Sequence, residues 1–225
     1  MEIPLFPLPD LVLFPQVAVP LHIFEERYKL MINRCIDQEA VFGLVLLRGD
    51  AEDAPQQESE STIHRVGVTA RVVQVERLEG GRMNVLCAGE SRFRIREFTA
   101  STPYWTGIVE FFEDHPESEA ALTEAYDEVS RLYRQAMELT SQLKEAKIPE
   151  LDLPTSAVGL SYMVSYVLDL ASDRKQELLE TSSTVLRLHS LAVDLGKTLS
   201  QLRGLLERKG LAAKVKTNGD LGKPH

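Results

Sequence analysis

Residues 66-VGVTARVVQVERLEGGRMNVLCAGESRFRIREF-98 carry the alternation that decides the fold. In an extended chain Val66, Val68, Ala70 and Val72 fall on one face, and then Val73 and Val75 fall on the other. A change of face within one run predicts a bulge or a sharp bend. Gly80-Gly81 supplies a turn, so 83-MNVLCA-88 folds back as the second strand of a hairpin. The stretch 92-RFRIRE-97 alternates again, and 104-YWTGIVEFF-112 follows it. Several short strands joined by such turns predict a closed or nearly closed β-barrel.

Upstream, 41-VFGLVLL-47 is short and almost wholly apolar, as a buried strand is, and the polar run between Arg48 and Thr62 reads as a solvated loop. The chain opens with 4-PLFPLPDLVLFPQVAVPLHIFEERY-28. Proline lacks an amide donor and fixes φ, so Pro4, Pro7, Pro9, Pro15 and Pro20 argue against helix and against a central strand. An extended edge strand with irregular crossings is predicted. Phe24, Tyr28, Met31, Ile32 and Cys35 then recur at helical spacing, with Phe24 and Tyr28 expected to pack inward.

The second half changes period. After Pro116, Leu122, Tyr126, Val129, Tyr133, Ala136 and Leu143 line one helical face. Pro149 and Pro154 interrupt the chain, and a shorter helix holding Val158, Leu160, Met163, Val164, Val167 and Leu168 follows. Asp173 and Gln176 have the spacing of a capping box, which predicts a new helix there. From about Ser182, Val185, Leu188, Ala192, Leu195, Leu199, Leu202 and Leu206 form a heptad seam. Packing of that seam against the helix of 117–145 is favoured over a dimer or a partner helix.

With 225 residues, 44% of them apolar and 26% charged, the chain has globular composition. Its formal charge of −9 disfavours an electrostatic grip on nucleic acid or anionic lipid. Cys35 and Cys87 do not make a disulfide framework and fit a reducing compartment. No run approaches eighteen apolar residues. Glu2 and the prolines also spoil a secretory leader, so a cytoplasmic location without membrane insertion is expected.

Catalytic and metal motifs fail on chemistry. Gly196-Lys197-Thr198 ends like a phosphate loop, but the glycine it needs would fall at Leu191, inside a leucine-spaced helix. Gly159-Leu160-Ser161 lacks the second glycine of a nucleophile elbow and follows no strand. Ser172-x-x-Lys175 is accounted for by helix capping. His22 with Glu25 and Glu26 is one histidine without the further ligands a zinc site recruits. No enzyme, metal or cofactor is expected. Arg92, Arg94 and Arg96 share a strand face opposite Phe93 and Ile95, a solvated outer face with some capacity for anions.

The N-terminal run with 21-LHIFEERY-28, then 42-FGLVLL-47 and 66–98, resembles the N-terminal substrate-recognition domain of the Lon protease family. The stretch 166-YVLDLASDRKQELLETSSTVLRLHSLAVDL-195 is similar to that family's helical subdomain, and the likeness spans about residues 1–208. The resemblance implies an α+β fold: a PUA-like β-pseudobarrel over 1–115, an α-helical bundle over 116–210 and a flexible tail over 211–225. It also implies an ATP-independent, non-catalytic protein- or peptide-binding role. The sequence shows no Walker loop and no Ser-Lys dyad, so the likeness is to a stand-alone Lon N-terminal domain. Its expected partners are unfolded or tagged protein segments and a protease or chaperone system. Candidate contacts are His22, Phe24, Arg27 and Tyr28, with Arg92 and Phe93. The rival readings are an adaptor docking, or a homodimer forming, through the last helix, and a PUA-like RNA binder, which the net charge disfavours.

Overall fold

In a computed structural model, residues 1–49, 59–146 and 152–219 are described, with side chains as far as Gly210. Most of the polar run after Arg48, together with Pro149 and the last six residues, lies outside them. Two compact units form. One comprises Met1–Pro116 with Ser161–Ser183, and the other comprises Glu117–Leu160 with the chain from Thr184 onward.

The first unit holds six strands: β1 (Glu2–Leu8), β2 (Ala18–Ile23), β3 (Phe42–Leu47), β4 (Ile63–Arg77), β5 (Met83–Ala100) and β6 (Thr106–Phe111). They are ordered β2-β5-β4-β3-β1-β6, and β5 pairs also with β6. That last pairing closes five strands into a barrel and leaves β2 outside it, on the first half of β5. Ile3, Leu5, Val45, Leu47, Phe93, Ile95, Trp105 and Val109 fill the interior.

The predicted bulge in β4 is present: its register on β5 shifts between Val68 and Ala70 and again between Val72 and Gln74. The two strands meet through Glu79–Gly81, where Gly80 and Gly81 both have φ of 70°. The two segments 83–88 and 92–97, read separately from sequence, are one strand of 18 residues. Gly89 does not break it. Its N–H donates to the Val17 carbonyl (2.8 Å), its carbonyl accepts from the Gln16 N–H (2.9 Å), and a Cβ there would strike the Phe14 carbonyl oxygen. The glycine is there so that the Phe14–Val17 turn can close on the strand.

The edge-strand expectation holds for β2, which carries Pro20, and fails for β1. β1 lies between β3, parallel to it, and β6, antiparallel to it. Ladder ends explain how it tolerates two prolines. The Leu5 N–H donates to the Trp105 carbonyl (2.8 Å), so odd-numbered amides of β1 face β6 and even-numbered ones face β3. The β6 ladder covers Glu2 to Pro4 and the β3 ladder covers Leu5 to Leu8. Pro7 therefore faces a side whose ladder has ended, and Pro4 one whose ladder has not begun.

Helix α1 (Glu26–Asp37) buries Tyr28, Met31, Ile32 and Cys35 against the first unit. The rings of Phe6 and Tyr28 lie 4.1 Å apart, and Phe6 and Phe42 lie 6.2 Å apart. Lys29 Nζ donates to the Gly80 carbonyl (3.0 Å), which ties the helix to the hairpin turn. Phe24 precedes the helix and is 60% exposed, so only Tyr28 of that pair packs inward.

The division expected at 115/116 is crossed by a returning segment. Helix α3 (Ala157–Val167) joins the barrel unit from Ser161, and α4 (Ser172–Glu180) belongs to it entirely. The Phe14 and Tyr162 rings lie 6.1 Å apart. Gln176 does not close a capping box, since no side chain caps α4. Its amide instead donates to the Val66 carbonyl (3.0 Å) and to Glu180 (2.8 Å), which pins α4 to β4.

In the second unit α2 (Glu119–Lys144) starts behind Ser118, whose hydroxyl accepts from the Ala121 N–H (3.3 Å). It packs along α5 (Thr184–Gly219), which extends past the boundary placed at 210. Val129, Tyr133 and Ala136 of α2 are buried, as are Leu188, Leu191, Leu195 and Leu199 of α5. The seam thus packs within the chain, with Leu191 in place of the predicted Ala192. Glu117 accepts from the Val185 N–H (3.1 Å), and Lys209 donates to the Leu143 carbonyl (2.8 Å) at the other end. The two helices therefore run parallel, α3 and α4 forming the crossover between them. Gly196, Lys197 and Thr198 lie inside α5.

Candidate functional site: the outer surface of the barrel unit

Strand alternation divides the candidate contacts. Along β2, Val19, Leu21 and Ile23 point inward, and His22 points out. His22 faces Asn84 on β5, and its Nδ1 lies 2.8 Å from Asn84 Oδ1. Asn84 in turn donates to Glu76 of β4 (2.8 Å), so a polar row crosses three strands. The Phe24 ring stacks beside His22, with centroids 6.0 Å apart and an interplanar angle of 27°. Arg27 donates to Glu25 (2.9 Å) and lies over the Tyr28 ring, 4.4 Å from its centroid. His22, Phe24 and half-buried Arg27 line an accessible rim, with Leu30 exposed on α1. Tyr28, Arg92 and Phe93 are buried and offer nothing to a ligand on this surface.

Arg92 was grouped with Arg94 and Arg96 on a solvated face, and the returning segment reverses that reading. Its side chain is 1% exposed. The guanidinium donates to the Leu179 carbonyl (2.9 Å), to the Thr181 carbonyl (2.7 Å) and to Asp114, and it lies 4.5 Å from the Phe112 ring centroid. Arg96 remains outside, paired with Glu110. A buried guanidinium that donates to two backbone carbonyls and a carboxylate acts as a structural clamp and not as an exposed anion receptor. Phe93 is fully buried in the barrel core.

Two grooves flank α1. One, of about 380 Å³, runs between the end of α1 and β4 and is lined by Ile36, Ala40, Val72, Val73 and Val75, with Arg71 at its rim. Sequence reading missed it, although the change of face at Val72–Val73 is the feature that turns an extra valine outward. The other, of about 270 Å³, lies between β1, Arg34 and Tyr104, where Arg34 donates to the Tyr104 hydroxyl (3.4 Å). Cys35 borders both grooves, yet burial pushes its thiol up to about 11 and that of Cys87 up to about 12. Thiols so poorly ionised are weak nucleophiles and weak metal ligands. The accessible surface is apolar and hydrogen-bonding in character.

The barrel unit is thus a small closed barrel carrying a returning helical segment, with apolar side chains on an outer rim. The sequence profile of the ATP-dependent protease La (LON) substrate-binding domain matches residues 2–193, and the chain belongs to that family. It is 29% identical to the Lon protease of Aquifex aeolicus over 220 residues, covering 92% of this chain and 26% of that protein. Against Lon protease 2 of Myxococcus xanthus it is 26% identical over 208 residues, covering 92% and 24%. The chain thus spans about a quarter of the length of the Lon proteases it matches. Among solved structures, the N-terminal domain of Mycobacterium avium complex Lon protease superposes with a TM-score of 0.59 at 22% identity, covering 87% of this chain and 97% of that one. A Lon N-terminal domain protein from Xanthomonas campestris gives a TM-score of 0.57 at 20% identity, covering 86% and 98%. The α+β architecture expected from sequence, a pseudobarrel followed by helices, is the one observed.

Proposed function

We propose that this chain is a non-catalytic recognition module that binds exposed, extended segments of other proteins and acts beside a protease or chaperone system in the cytoplasm. The observation that carries this reading is the profile match over 2–193, which is to a substrate-binding domain. The surface supports it. Phe24 at 60% and Leu30 at 54% exposed present apolar side chains to solvent, and His22 and Arg27, bonded to Asn84 and Glu25, add polar groups of a kind that peptide backbone can engage. Calorimetry with a permanently unfolded chain, reduced and carboxymethylated α-lactalbumin, tests it against native α-lactalbumin. Saturable binding of the unfolded form alone is expected, weakened several-fold by Phe24→Ala. Indifference to both forms refutes the reading.

A second reading, docking through α5, is supported by Leu186 and Val193, seven residues apart and each 61% exposed. Sedimentation equilibrium of the chain and of a Leu186→Glu, Val193→Glu variant tests it. A monomer at every concentration removes the homodimer.

A further inference from the structure

β4 runs on beyond its partner. Its pairing with β3 ends where Phe42 meets Ala70, because β3 begins there. The chain before it is occupied in closing α1, the Ala40 N–H donating to the Cys35 carbonyl (2.9 Å). From Arg71 to Arg77 β4 keeps β5 on one side, in register from Ala88 to Met83. On the other side, among the described residues, no strand pairs with it. Seven residues at about 3.3 Å each leave roughly 23 Å of edge whose alternate N–H and C=O groups have no ladder.

The flank of this edge is apolar and shaped. The C-terminal half of α1 runs beside it and is anchored to it at two points. The Arg77 guanidinium donates to Asn33 Oδ1 (3.1 Å) at one end, and the Arg71 guanidinium donates to the Glu39 carbonyl (2.8 Å) at the other. Between these anchors lies the groove of about 380 Å³, walled by Ile36 and Ala40 on the helix side and by Val72, Val73 and Val75 on the strand. Val73 is the residue the bulge leaves unmatched on β5, and it is 55% exposed. β2, the outer strand beyond β5, carries Pro20 in its middle; Val72-Val73-Gln74-Val75 has neither proline nor charge. Charge is confined to the end of the groove, where Arg71 pairs with Glu90 (2.5 Å) and Glu39 also stands, and the stretch between is apolar apart from Gln74.

We propose that the free edge of β4, Arg71–Arg77, receives an extended apolar segment of an unfolded protein as an added strand, with alternate side chains in the groove against Ile36 and Val73. The proposal rests on the peptide-binding reading and deepens it by giving the site and the mode. A groove of this size admits one strand and its aliphatic side chains, not the face of a folded domain. Main-chain bonds supply affinity with little regard to sequence, and the valine-lined pocket supplies the preference for β-branched and other aliphatic residues.

The test uses the full chain and two probes. One is an octapeptide of alternating valine and threonine with a lysine at each end, and the other is its twin with alternate amides N-methylated. Strand addition predicts that the first slows amide exchange of residues 71–77 at least tenfold and that the twin binds at least tenfold more weakly. Val73→Asp, at an exposed position that should leave the thermal midpoint unchanged, should weaken the unmethylated peptide at least tenfold. Equal affinity for both peptides, or protection confined to other residues, overturns the site. Protection of 71–77 that grows with protein concentration, without peptide, overturns it in favour of edge pairing between two copies. Binding of carboxymethylated α-lactalbumin that leaves 71–77 unprotected defeats this site alone. Failure of peptide and unfolded protein together defeats the reading beneath it.

Discussion

Replacing Arg92 by alanine should unseat α4 from the barrel. The side chain is 1% exposed and donates to two carbonyls of the returning segment, Leu179 and Thr181, and to Asp114. Removing it leaves acceptors buried without donors and strips Asp114 of its guanidinium partner. Breaking one side of a buried pair costs about 3–5 kcal/mol. The lost position over Phe112 adds to this only in part, because the contacts act as a unit. With a urea slope of about 2 kcal/mol/M, the midpoint should fall by about 1.5–2.5 M. The single tryptophan, Trp105, sits in the barrel core, so its fluorescence reports this unit and not the α2–α5 pair. Asp114→Asn keeps an acceptor oxygen and should cost less than Arg92→Ala. Amide exchange at 172–181 should accelerate in Arg92→Ala before the barrel unfolds. A midpoint within about 0.3 M of the parent, with unchanged exchange there, would refute the clamp.

Other outcomes follow from the same geometry. Glu180 is held below its ordinary value of 4.5, chiefly by His64, whose Nδ1 lies 3.6 Å from its carboxylate. Its folded value is depressed, so its contribution is present above 4.5 and is lost as pH falls through the depressed value. The protection factors of α4 amides, taken relative to intrinsic exchange at each pH, should therefore fall on acidification from pH 6 to 3.5, and less so in Glu180→Gln. Gly67→Ala would place a Cβ against the Leu44 carbonyl, 2.6 Å from Val45 Cγ1 and 2.8 Å from Phe93 Cζ. Overpacking of about 1–3 kcal/mol should appear as a lower urea midpoint by Trp105 fluorescence. With burial raising both thiols far above neutrality, Cys35 and Cys87 should ignore Ellman's reagent at pH 7.5 and both react after denaturation in guanidinium. Leu195→Ala, at a fully buried position of α5, should cost about 2–5 kcal/mol, read from loss of helical circular dichroism.

What sequence revealed was whatever depends on near neighbours. The bulge in β4 was legible because a run of valines changed parity, and the glycine turn because little else adopts positive φ at two successive residues. The α2–α5 seam was legible from leucine spacing. Arg92 was not. The arginines at 92, 94 and 96 look alike in sequence, and only the first meets a segment that returns almost ninety residues later. β1 was misread because proline was weighed against a whole strand, whereas only the amides at ladder ends mattered. Gln176 was misread for the opposite reason, since its spacing from Asp173 suggested a local bond and a distant carbonyl took it. At the candidate site, the helical spacing that grouped Phe24 with Tyr28 misplaced it, because Phe24 falls between β2 and α1 and stays exposed. The groove beside β4 was not legible either, because it depends on β3 beginning late.

The distance between Arg92 and its acceptors also sets an order of events during synthesis. All six strands have been made by Phe111, and the barrel can close its ladders then. Thr181 emerges about 70 residues later, roughly 4–14 s at ordinary translation rates, whereas a β-rich domain of this size folds in milliseconds to seconds. For that interval the nascent barrel carries an arginine still wet, and its sealing is a second docking step. Residues 117–160 are an excursion between the vessel and its stopper. A chain cut within 117–160 keeps both pieces, so the fragment carrying Ser161–Ser183 should reseal the barrel when it is supplied as a separate polypeptide.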